Sequence, residues 1–384
     1  MSVRSAEPRT VGDIAPALLE DWLRERYFSA SIDISSSGVQ DYTLGDLRRR
    51  LGISTADLDA VAFRDSPSLG CEPLREAVAA RTGRPAGEVM VTHGSSEALF
   101  LALAALIRPG DEIVVLRPVY QSLSSIAEVL GARLRTWTLH PADDFRPDLD
   151  RLRAVLTERT RAVLVNFPHN PTGVTLTPGQ YAEFLEILRG HPGHLVWDAA
   201  FSDLTYDQPP LPDPGLGLER VISVGTLSKA YGLPGLRVGW CLAPAALLPA
   251  MTKIRDYLTI STSPLAEMLA TAVLRQPESV LGPRLRQARE NREALLAWAR
   301  ENTGRVSLPR PAGGVSAFPA FSGVDDVTGL CHRLEERGVL VVPGACFGHP
   351  DRMRIGFGGF PQSLRTGLDV LTGLLKRPPT PFEV

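Results

Sequence analysis

The sequence predicts an α/β protein whose large domain has a mostly parallel central sheet covered by helices. Four short apolar runs, at 112–116, 161–166, 194–198 and 221–225, alternate with longer helical patterns in the middle of the chain. Runs that are apolar on both faces and separated by helices are typical of parallel strands buried on two sides. The chain has 384 residues, which is long enough for such a domain and a smaller companion.

The two ends of the chain predict the smaller domain, because they do not follow this alternation. The C-terminal part has a long helical stretch near 284–301 and then a strand-like run at 338–342. We therefore expect a large domain at 46–274. We expect a small α+β domain formed by residues 1–45 together with residues 275–384.

The composition is that of an ordinary globular protein, and it argues against some partners. Apolar residues make up 44% of the chain, charged residues make up 22%, and the formal net charge is -2. That charge creates no field that would attract nucleic acid or an anionic membrane surface. We expect a small-molecule partner or a second copy of the chain.

The sequence also shows no signal for export, membrane insertion or metal binding. The N-terminus lacks the apolar core of a signal peptide, and no segment approaches the ~20 apolar residues of a membrane span. The four cysteines are scattered and lack Cys-x-x-Cys spacing, so they predict reduced thiols and no zinc site. We expect a cytoplasmic protein without a metal.

Polar residues follow three of the four apolar runs. The second run leads to a loop that contains Asn170, and the third run ends at Asp198. The fourth run continues into Ser228 and Lys229. Because the carboxyl ends of parallel strands meet at one edge of a sheet, we expect these side chains to form one site.

Lys229 stands between hydroxyls and glycines, with no charged neighbour in sequence until Arg237. Thr226, Ser228 and Arg237 are donors for an anion, and the flanking glycines let a ligand approach the backbone. A lysine held in a mostly uncharged pocket has a lowered pKa and becomes a nucleophile toward carbonyl compounds. The alternative is a turn with an ordinary surface arginine.

A second candidate anion site lies at 92–99, a small polar turn that opens a helix and contains Ser95 and Ser96. Free N–H groups, the helix dipole and two hydroxyls suit a phosphate there. Alternatively, a serine simply caps the helix. Two phosphate-type sites around one lysine favour pyridoxal 5'-phosphate as the ligand.

Three further residues suit the ring of that cofactor. Asp198 can partner a protonated ring nitrogen, although a salt bridge to a core arginine is the alternative. Asn170 can donate to the phenolate oxygen, although Asn-Pro alone is a turn signal. Tyr120 can stack on the ring, although an aromatic side chain there can also belong to the core.

Taken in order, these residues resemble the fold-type I family of pyridoxal-phosphate enzymes, the aspartate aminotransferase superfamily. The resemblance continues to 354–357 and covers nearly the whole chain. It implies a homodimer in which Lys229 is the covalent tether and catalytic base. It also implies that Arg354 binds the substrate α-carboxylate with help from the backbone at Gly38. The implied cofactor-binding positions are Ser95, Ser96, Tyr120, Asn170, Asp198, Phe201, Thr226, Ser228, Lys229 and Arg237.

The chain departs from the aminotransferase pattern at two places. After the pyridine partner the family usually continues Asp-Glu-x-Tyr, but here the run is Asp-Ala-Ala-Phe, ending at Phe201. Phe201 has no hydroxyl to share the phenolate with Asn170. Residues 64–69 lack the tyrosine that often reaches the neighbouring subunit's phosphate. Both changes argue against simple amino transfer while leaving pyridoxal chemistry in place.

Four stretches, 19–28, 33–39, 166–171 and 225–237, give a narrower resemblance to the cyclases that make capreomycidine, and that pattern includes Phe201. The resemblance implies conversion of (3S)-3-hydroxy-L-arginine to capreomycidine in arginine-derived antibiotic biosynthesis. The implied chemistry is elimination of the β-hydroxyl followed by intramolecular guanidine addition.

The sequence does not decide which residue recognises the substrate guanidinium, and it leaves two alternative functions open. A carboxylate is the efficient partner for a guanidinium, and Glu20 is the candidate, with an exposed helix charge as the alternative. Gln40 occupies a position that can hold histidine in the cyclase pattern. An amino acid aminotransferase is the alternative enzyme, and a cofactor-sensing regulator would need a DNA-binding domain.

Overall fold

The computed structural model describes residues 10–376, which fold around a seven-stranded central sheet. The strands are β1 (Ile32–Asp33), β2 (Val89–Thr92), β3 (Glu112–Arg117), β4 (Arg133–Thr138), β5 (Thr160–Asn166), β6 (His194–Asp198), β7 (Val221–Thr226), β8 (Gly239–Leu242), β9 (Val306–Ser307), β10 (Ser316–Ala317), β11 (Ala320–Phe321), β12 (Val339–Leu340), β13 (Val342–Pro343) and β14 (Met353–Gly356). The helices are α1 (Leu18–Arg26), α2 (Leu44–Leu51), α3 (Thr55–Asp59), α4 (Glu72–Thr82), α5 (Gly94–Leu106), α6 (Ser125–Val129), α7 (Leu149–Val155), α8 (Pro178–Arg189), α9 (Leu248–Arg255), α10 (Pro264–Arg275), α11 (Glu278–Glu301), α12 (Val327–Glu335) and α13 (Pro361–Lys376).

The large sheet has the strand order β2-β8-β7-β6-β5-β3-β4. β8 runs antiparallel to both of its neighbours, and the other pairs in this sheet are parallel. The four predicted strands are β3, β5, β6 and β7, three of them one residue longer than expected. The predicted α/β class with a mostly parallel sheet is confirmed.

Both faces of this sheet are covered, which explains why the strand runs are apolar throughout. Ala162 and Leu164 of β5 pack with α5 and α9 in one apolar cluster. Val163 and Val165, which point the opposite way, pack with α7 and α8 in another. The sheet is therefore buried between two helical layers, and polar groups gather at its carboxyl edge.

The C-terminal part forms small sheets of its own. β14 lies between β10 and β13 in an antiparallel sheet, and β12 pairs in parallel with β1. The run at 338–342 was expected as one strand, and the structure corrects this, because β12 and β13 join different sheets. Val341 separates them, and its carbonyl accepts a hydrogen bond from Trp22 Nε1 at 2.8 Å.

The helix expected near 284–301 is α11, which begins earlier, at Glu278, just after α10 ends at Arg275. The boundaries of the predicted domains stay a prediction. Residues 1–9 and 377–384 of the predicted small domain lie outside the described part of the chain. Within residues 10–376, the helices are all too short or too polar to traverse a lipid bilayer.

Residues 34–40 run between β14 and the lysine turn after β7. The carbonyl of Ile34 accepts from Gly356 N at 2.8 Å, and Val39 N donates to the carbonyl of Lys229 at 3.0 Å. The approach is so close that a Cβ on Gly356 would lie 2.0 Å from the carbonyl oxygen of Ser36. This segment therefore ties β14 to the turn that carries Lys229.

We expect Gly356→Ala to lower the free energy of unfolding by roughly 1–3 kcal/mol, because the added methyl group collides with backbone rather than with a movable side chain. Gly373→Ala is the matched control, since its Cβ meets nothing within 4 Å on α13. Alanine there should stabilise the helix by up to about 1 kcal/mol. Thermal denaturation midpoints compare the two, and equal midpoints would contradict the close packing at Gly356.

Candidate active site

The carboxyl ends of β5, β6 and β7 open into a cavity of about 760 Å³. Its walls come from the strand ends, from the N-terminus of α5, from α1 and from the segment 35–38. The cavity brings together every predicted site residue: Glu20, Gly38, Ser95, Ser96, Tyr120, Asn170, Asp198, Phe201, Thr226, Ser228, Lys229, Arg237 and Arg354. The expectation that the polar residues share one edge of the sheet is confirmed.

Lys229 lies at the centre of this cavity, in the turn after β7. Its Nζ donates to Ser37 Oγ at 3.0 Å and lies 5.8 Å from the centre of the Phe201 ring. Burial and the nearby charge of Arg354 lower the pKa of Lys229 to about 8. At pH 7 about a tenth of this amine is then unprotonated, far more than for an ordinary lysine, and the neutral amine is the form that a nucleophile or base requires.

Asp198 ends β6 and is buried, with 4% of its surface exposed. Its Oδ1 accepts a hydrogen bond from the Ala200 backbone N–H at 3.0 Å. Burial raises the pKa of Asp198 to about 6, although that hydrogen bond and Lys229 oppose the shift. Among the described residues no arginine pairs with it, so the core salt bridge considered as its alternative role is not formed.

The loop that carries Asn170 is held by two neighbouring polar side chains. Asn166 Oδ1 accepts from Asn170 N at 3.0 Å, and Asn166 Nδ2 donates to the Asp198 carbonyl at 3.0 Å. The buried ring of His169 lies 2.8 Å from both Thr172 Oγ1 and the Pro118 carbonyl. Burial lowers the pKa of His169 to about 4, so a neutral ring links this loop to the one before Tyr120.

The two predicted anion sites form one cradle. Thr226 Oγ1 donates to Ser228 Oγ at 2.9 Å beside the first turn of α5. A Cβ on Gly94 would lie 2.9 Å from Arg237 Nη2, which places this guanidinium directly against the start of α5. The N-cap of α5 is His93, so neither Ser95 nor Ser96 is the capping residue. Hydroxyls, free N–H groups and one guanidinium thus converge as a phosphate monoester requires.

Arg354 is delivered to the cavity by β14 and is 1% exposed. Its Nη2 donates to the Ser35 carbonyl at 2.7 Å, and its Nη1 donates to Asn170 Oδ1 at 3.1 Å. Its Nε has no hydrogen-bond partner, and burial lowers the pKa of the guanidinium to about 10. In the described chain no carboxylate forms an ion pair with this buried guanidinium. A buried cation of this kind suits an incoming carboxylate.

Helix α1 forms part of the wall of the cavity. Glu20 Oε1 accepts from the Tyr120 hydroxyl at 3.0 Å. Burial, together with the charge of Glu20, raises the pKa of Tyr120 to about 12, so its hydroxyl stays protonated. Glu20 is exposed, but it also lines the cavity and has a specific partner.

Three residues of the site had no role in the sequence-based prediction. Ser37 binds Lys229, while Asn166 and His169 position the Asn170 loop. Ser37 is the last of three consecutive serines, and in this region only the next residue, Gly38, was predicted to have a role. Nothing in that run distinguishes Ser37, because its partner lies 192 residues further along the chain.

Residues 63–371 match the family model for class I and II aminotransferases. The chain belongs to this family. It is 55% identical over 360 residues to capreomycidine synthase of Streptomyces vinaceus, with 93% of this chain and 92% of that protein covered. It is 31% identical over 299 residues to methionine aminotransferase of Escherichia coli (strain K12), with 73% and 76% covered.

A solved structure is similar over nearly the whole chain. The crystal structure of the PLP-dependent cyclase OrfR in complex with Au matches this aminotransferase-family chain with a TM-score of 0.90 and 40% identity. The match covers 98% of this chain and 99% of that one. The predicted fold and family are therefore confirmed.

We expect Lys229 of the cofactor-free protein to react with an amine-arylating reagent at a rate that follows its pKa of about 8. The rate should rise about tenfold per pH unit below that value and then level off, because only the neutral amine reacts. Arg354→Met should move the midpoint upward, since a repelling positive charge is removed. Peptide mass spectrometry reports the rate at Lys229, with the exposed Lys253 as an internal control. A rate at Lys229 that still rises tenfold between pH 9 and 10 would contradict the assignment.

Proposed function

We propose that this chain is a pyridoxal-phosphate-dependent cyclase that converts (3S)-3-hydroxy-L-arginine to capreomycidine in the biosynthesis of an arginine-derived antibiotic. The observation that carries the proposal is the 55% identity to capreomycidine synthase over 93% of this chain. The predicted cofactor is confirmed by membership of the class I and II aminotransferase family and by the similarity to a PLP-dependent cyclase.

The side chains around the cavity fit this cofactor. The phosphate would lie in the cradle of Ser95, Ser96, Thr226, Ser228 and Arg237. Asp198 would partner the ring nitrogen, Tyr120 would lie against the ring, and Lys229 would be the covalent attachment point. When bound, pyridoxal phosphate supplies an electron sink that makes the substrate Cα–H acidic.

Asn170 and Phe201 also line the cavity, and Asn170 would donate to the phenolate oxygen of the cofactor. Asn170 Oδ1 is engaged by Arg354 at 3.1 Å, which leaves the Nδ2 group as its donor to the phenolate. Phe201 is buried and adds no second donor. This arrangement fits the cyclase pattern and departs from the tyrosine of the aminotransferases.

Arg354 and Glu20 would hold the two ends of the substrate. The buried guanidinium of Arg354 binds the α-carboxylate as a fork, beside the backbone of Gly38. Glu20 of α1, which lines the same cavity, receives the substrate guanidinium. Holding both ends folds the side chain toward Cβ, and an intramolecular ring closure then gains the usual advantage of proximity.

Lys229 would act as the general base that removes the Cα proton. Its lowered pKa makes the neutral amine available, and the hydrogen bond to Ser37 orients Nζ. The Cβ–O bond then breaks, and the hydroxyl leaves as water with the proton that Lys229 had taken. A guanidine nitrogen bonds to Cβ, and a proton returns to Cα. The net change is the loss of one water, with every nitrogen retained.

We further propose that the enzyme is a cytoplasmic homodimer without nucleic-acid or membrane partners. Family resemblance supports the dimer. The formal net charge of -2 supports the absence of an anionic polymer as partner.

The proposal predicts that the holoenzyme converts 3-hydroxyarginine without any keto acid acceptor. The expected product has lost one water, contains a six-membered ring by NMR, and forms at the same rate when pyruvate or 2-oxoglutarate is added. An aminotransferase would instead need the acceptor and would yield a keto acid. A strict requirement for an acceptor would sink the cyclase proposal.

A further inference from the structure

The inference drawn here rests on the proposed function and concerns the ring-closing step. A guanidinium is protonated at all physiological pH values and has no free lone pair for attack on carbon. Ring closure therefore needs a base within reach of a guanidinium N–H. Lys229 is already assigned to the Cα proton, so a second group has to serve.

The described lining of the cavity contains three carboxylates, Glu20, Asp41 and Asp198. Asp198, at the end of β6, is already assigned to the cofactor ring nitrogen. Its carboxylate accepts a hydrogen bond from Ala200 N and is almost fully buried. Asp41 is exposed and lies beside Arg284, whose Nη2 donates to the Asp41 carbonyl at 2.9 Å. Burial raises the pKa of Asp41, although the charge of Arg284 opposes the shift, so its charge does not exclude it as a base. Glu20 is favoured over Asp41 because its carboxylate has a specific partner in the lining of the cavity, the Tyr120 hydroxyl.

Glu20 lines the same cavity as Lys229 and Arg354. Burial lowers the pKa of both Lys229 and Arg354, and the negative charge of Glu20 opposes that shift in both. Its Oε1 accepts from the Tyr120 hydroxyl at 3.0 Å, which leaves Oε2 to face a substrate N–H. The Glu20 carboxylate therefore lines the cavity and does not compete with Asp198 for the cofactor ring nitrogen.

Helix α1, which carries Glu20, is held in place by two side-chain hydrogen bonds. Trp22 Nε1 donates to the Val341 carbonyl at 2.8 Å, and Arg26 Nε donates to Glu335 Oε2 at 3.0 Å. Both contacts join α1 to the C-terminal part of the chain. These contacts fix the position of the helix that carries Glu20, as a proton-transfer group requires.

We propose that Glu20 is the base that takes a proton from the substrate guanidinium as the guanidine nitrogen bonds to Cβ, with Tyr120 as its positioning residue. The protons balance. The Cα proton leaves with the β-hydroxyl as water, and the guanidinium proton passes to Glu20. That proton returns to the substrate at Cα, so the product again carries a guanidinium and a Cα–H, and Glu20 is again a carboxylate.

Glu20→Gln tests this assignment, because glutamine keeps the shape and still accepts from Tyr120 but cannot take a proton. Exchange of the Cα hydrogen in D₂O and loss of the β-hydroxyl should persist. Ring closure should slow by about 100-fold or more, which is typical for the loss of a general base. The uncyclised eliminated product then hydrolyses to a keto acid and ammonia. The readout is the ratio of ammonia to cyclic product, which should rise sharply.

Two variants serve as controls. Asp21→Asn removes the same charge from the same helix turn, where Asp21 pairs with Arg24 at 2.7 Å, and it should leave the ratio unchanged. Asp41→Asn removes the other free carboxylate of the cavity and should also leave the ratio unchanged. A shift of the ratio in Asp41→Asn but not in Glu20→Gln would overturn the proposal.

The outcomes separate this inference from the proposed function. If Glu20 only anchored the guanidinium, Glu20→Gln would raise KM with an unchanged product ratio, and the proposal would be wrong. If the wild-type enzyme formed no cyclic product, the proposed function itself would fail. A wild-type enzyme that cyclises and a Glu20→Gln enzyme that eliminates without cyclising support both.

Discussion

The hydrogen bond between Lys229 Nζ and Ser37 Oγ, 3.0 Å long, is the contact on which the rest of the site depends. It joins the turn after β7 to the segment that crosses from β1 toward β14. The same segment binds the Lys229 carbonyl through Val39 N and supplies the Ser35 carbonyl to Arg354. One short stretch of chain thus sets the position of the reactive amine relative to the carboxylate anchor.

The electrostatics of the cavity follow from this enclosure. Lys229 and Arg354 are cations in a mostly apolar wall, and burial lowers the pKa of both. Asp198 and Glu20 offset them only in part, and Arg237 adds a further positive charge at the phosphate cradle. An anionic cofactor, and the carboxylate substrate that we propose, would offset these charges when they bind.

The central sheet and most of the site could be predicted because their causes are local in the sequence. Runs that are apolar on both faces identify buried parallel strands, and the chain order of Asn170, Asp198 and Lys229 follows the strand ends. The contact of Ser37 could not be predicted, since it links residues 192 positions apart. The split of 338–342 into two strands depends on pairing with different partners, which periodicity does not encode. The role of His169 likewise arises only from the two loops that it joins.

The fate of two substrate atoms shows most directly whether the enzyme cyclises its substrate or transfers the amino group. The substrate is 3-hydroxyarginine labelled with nitrogen-15 in the α-amino group and oxygen-18 in the β-hydroxyl, and mass spectrometry follows both labels. The account predicts a cyclic product that retains all of the nitrogen label and none of the oxygen label. A keto acid that has lost the nitrogen label and kept the oxygen label would contradict it.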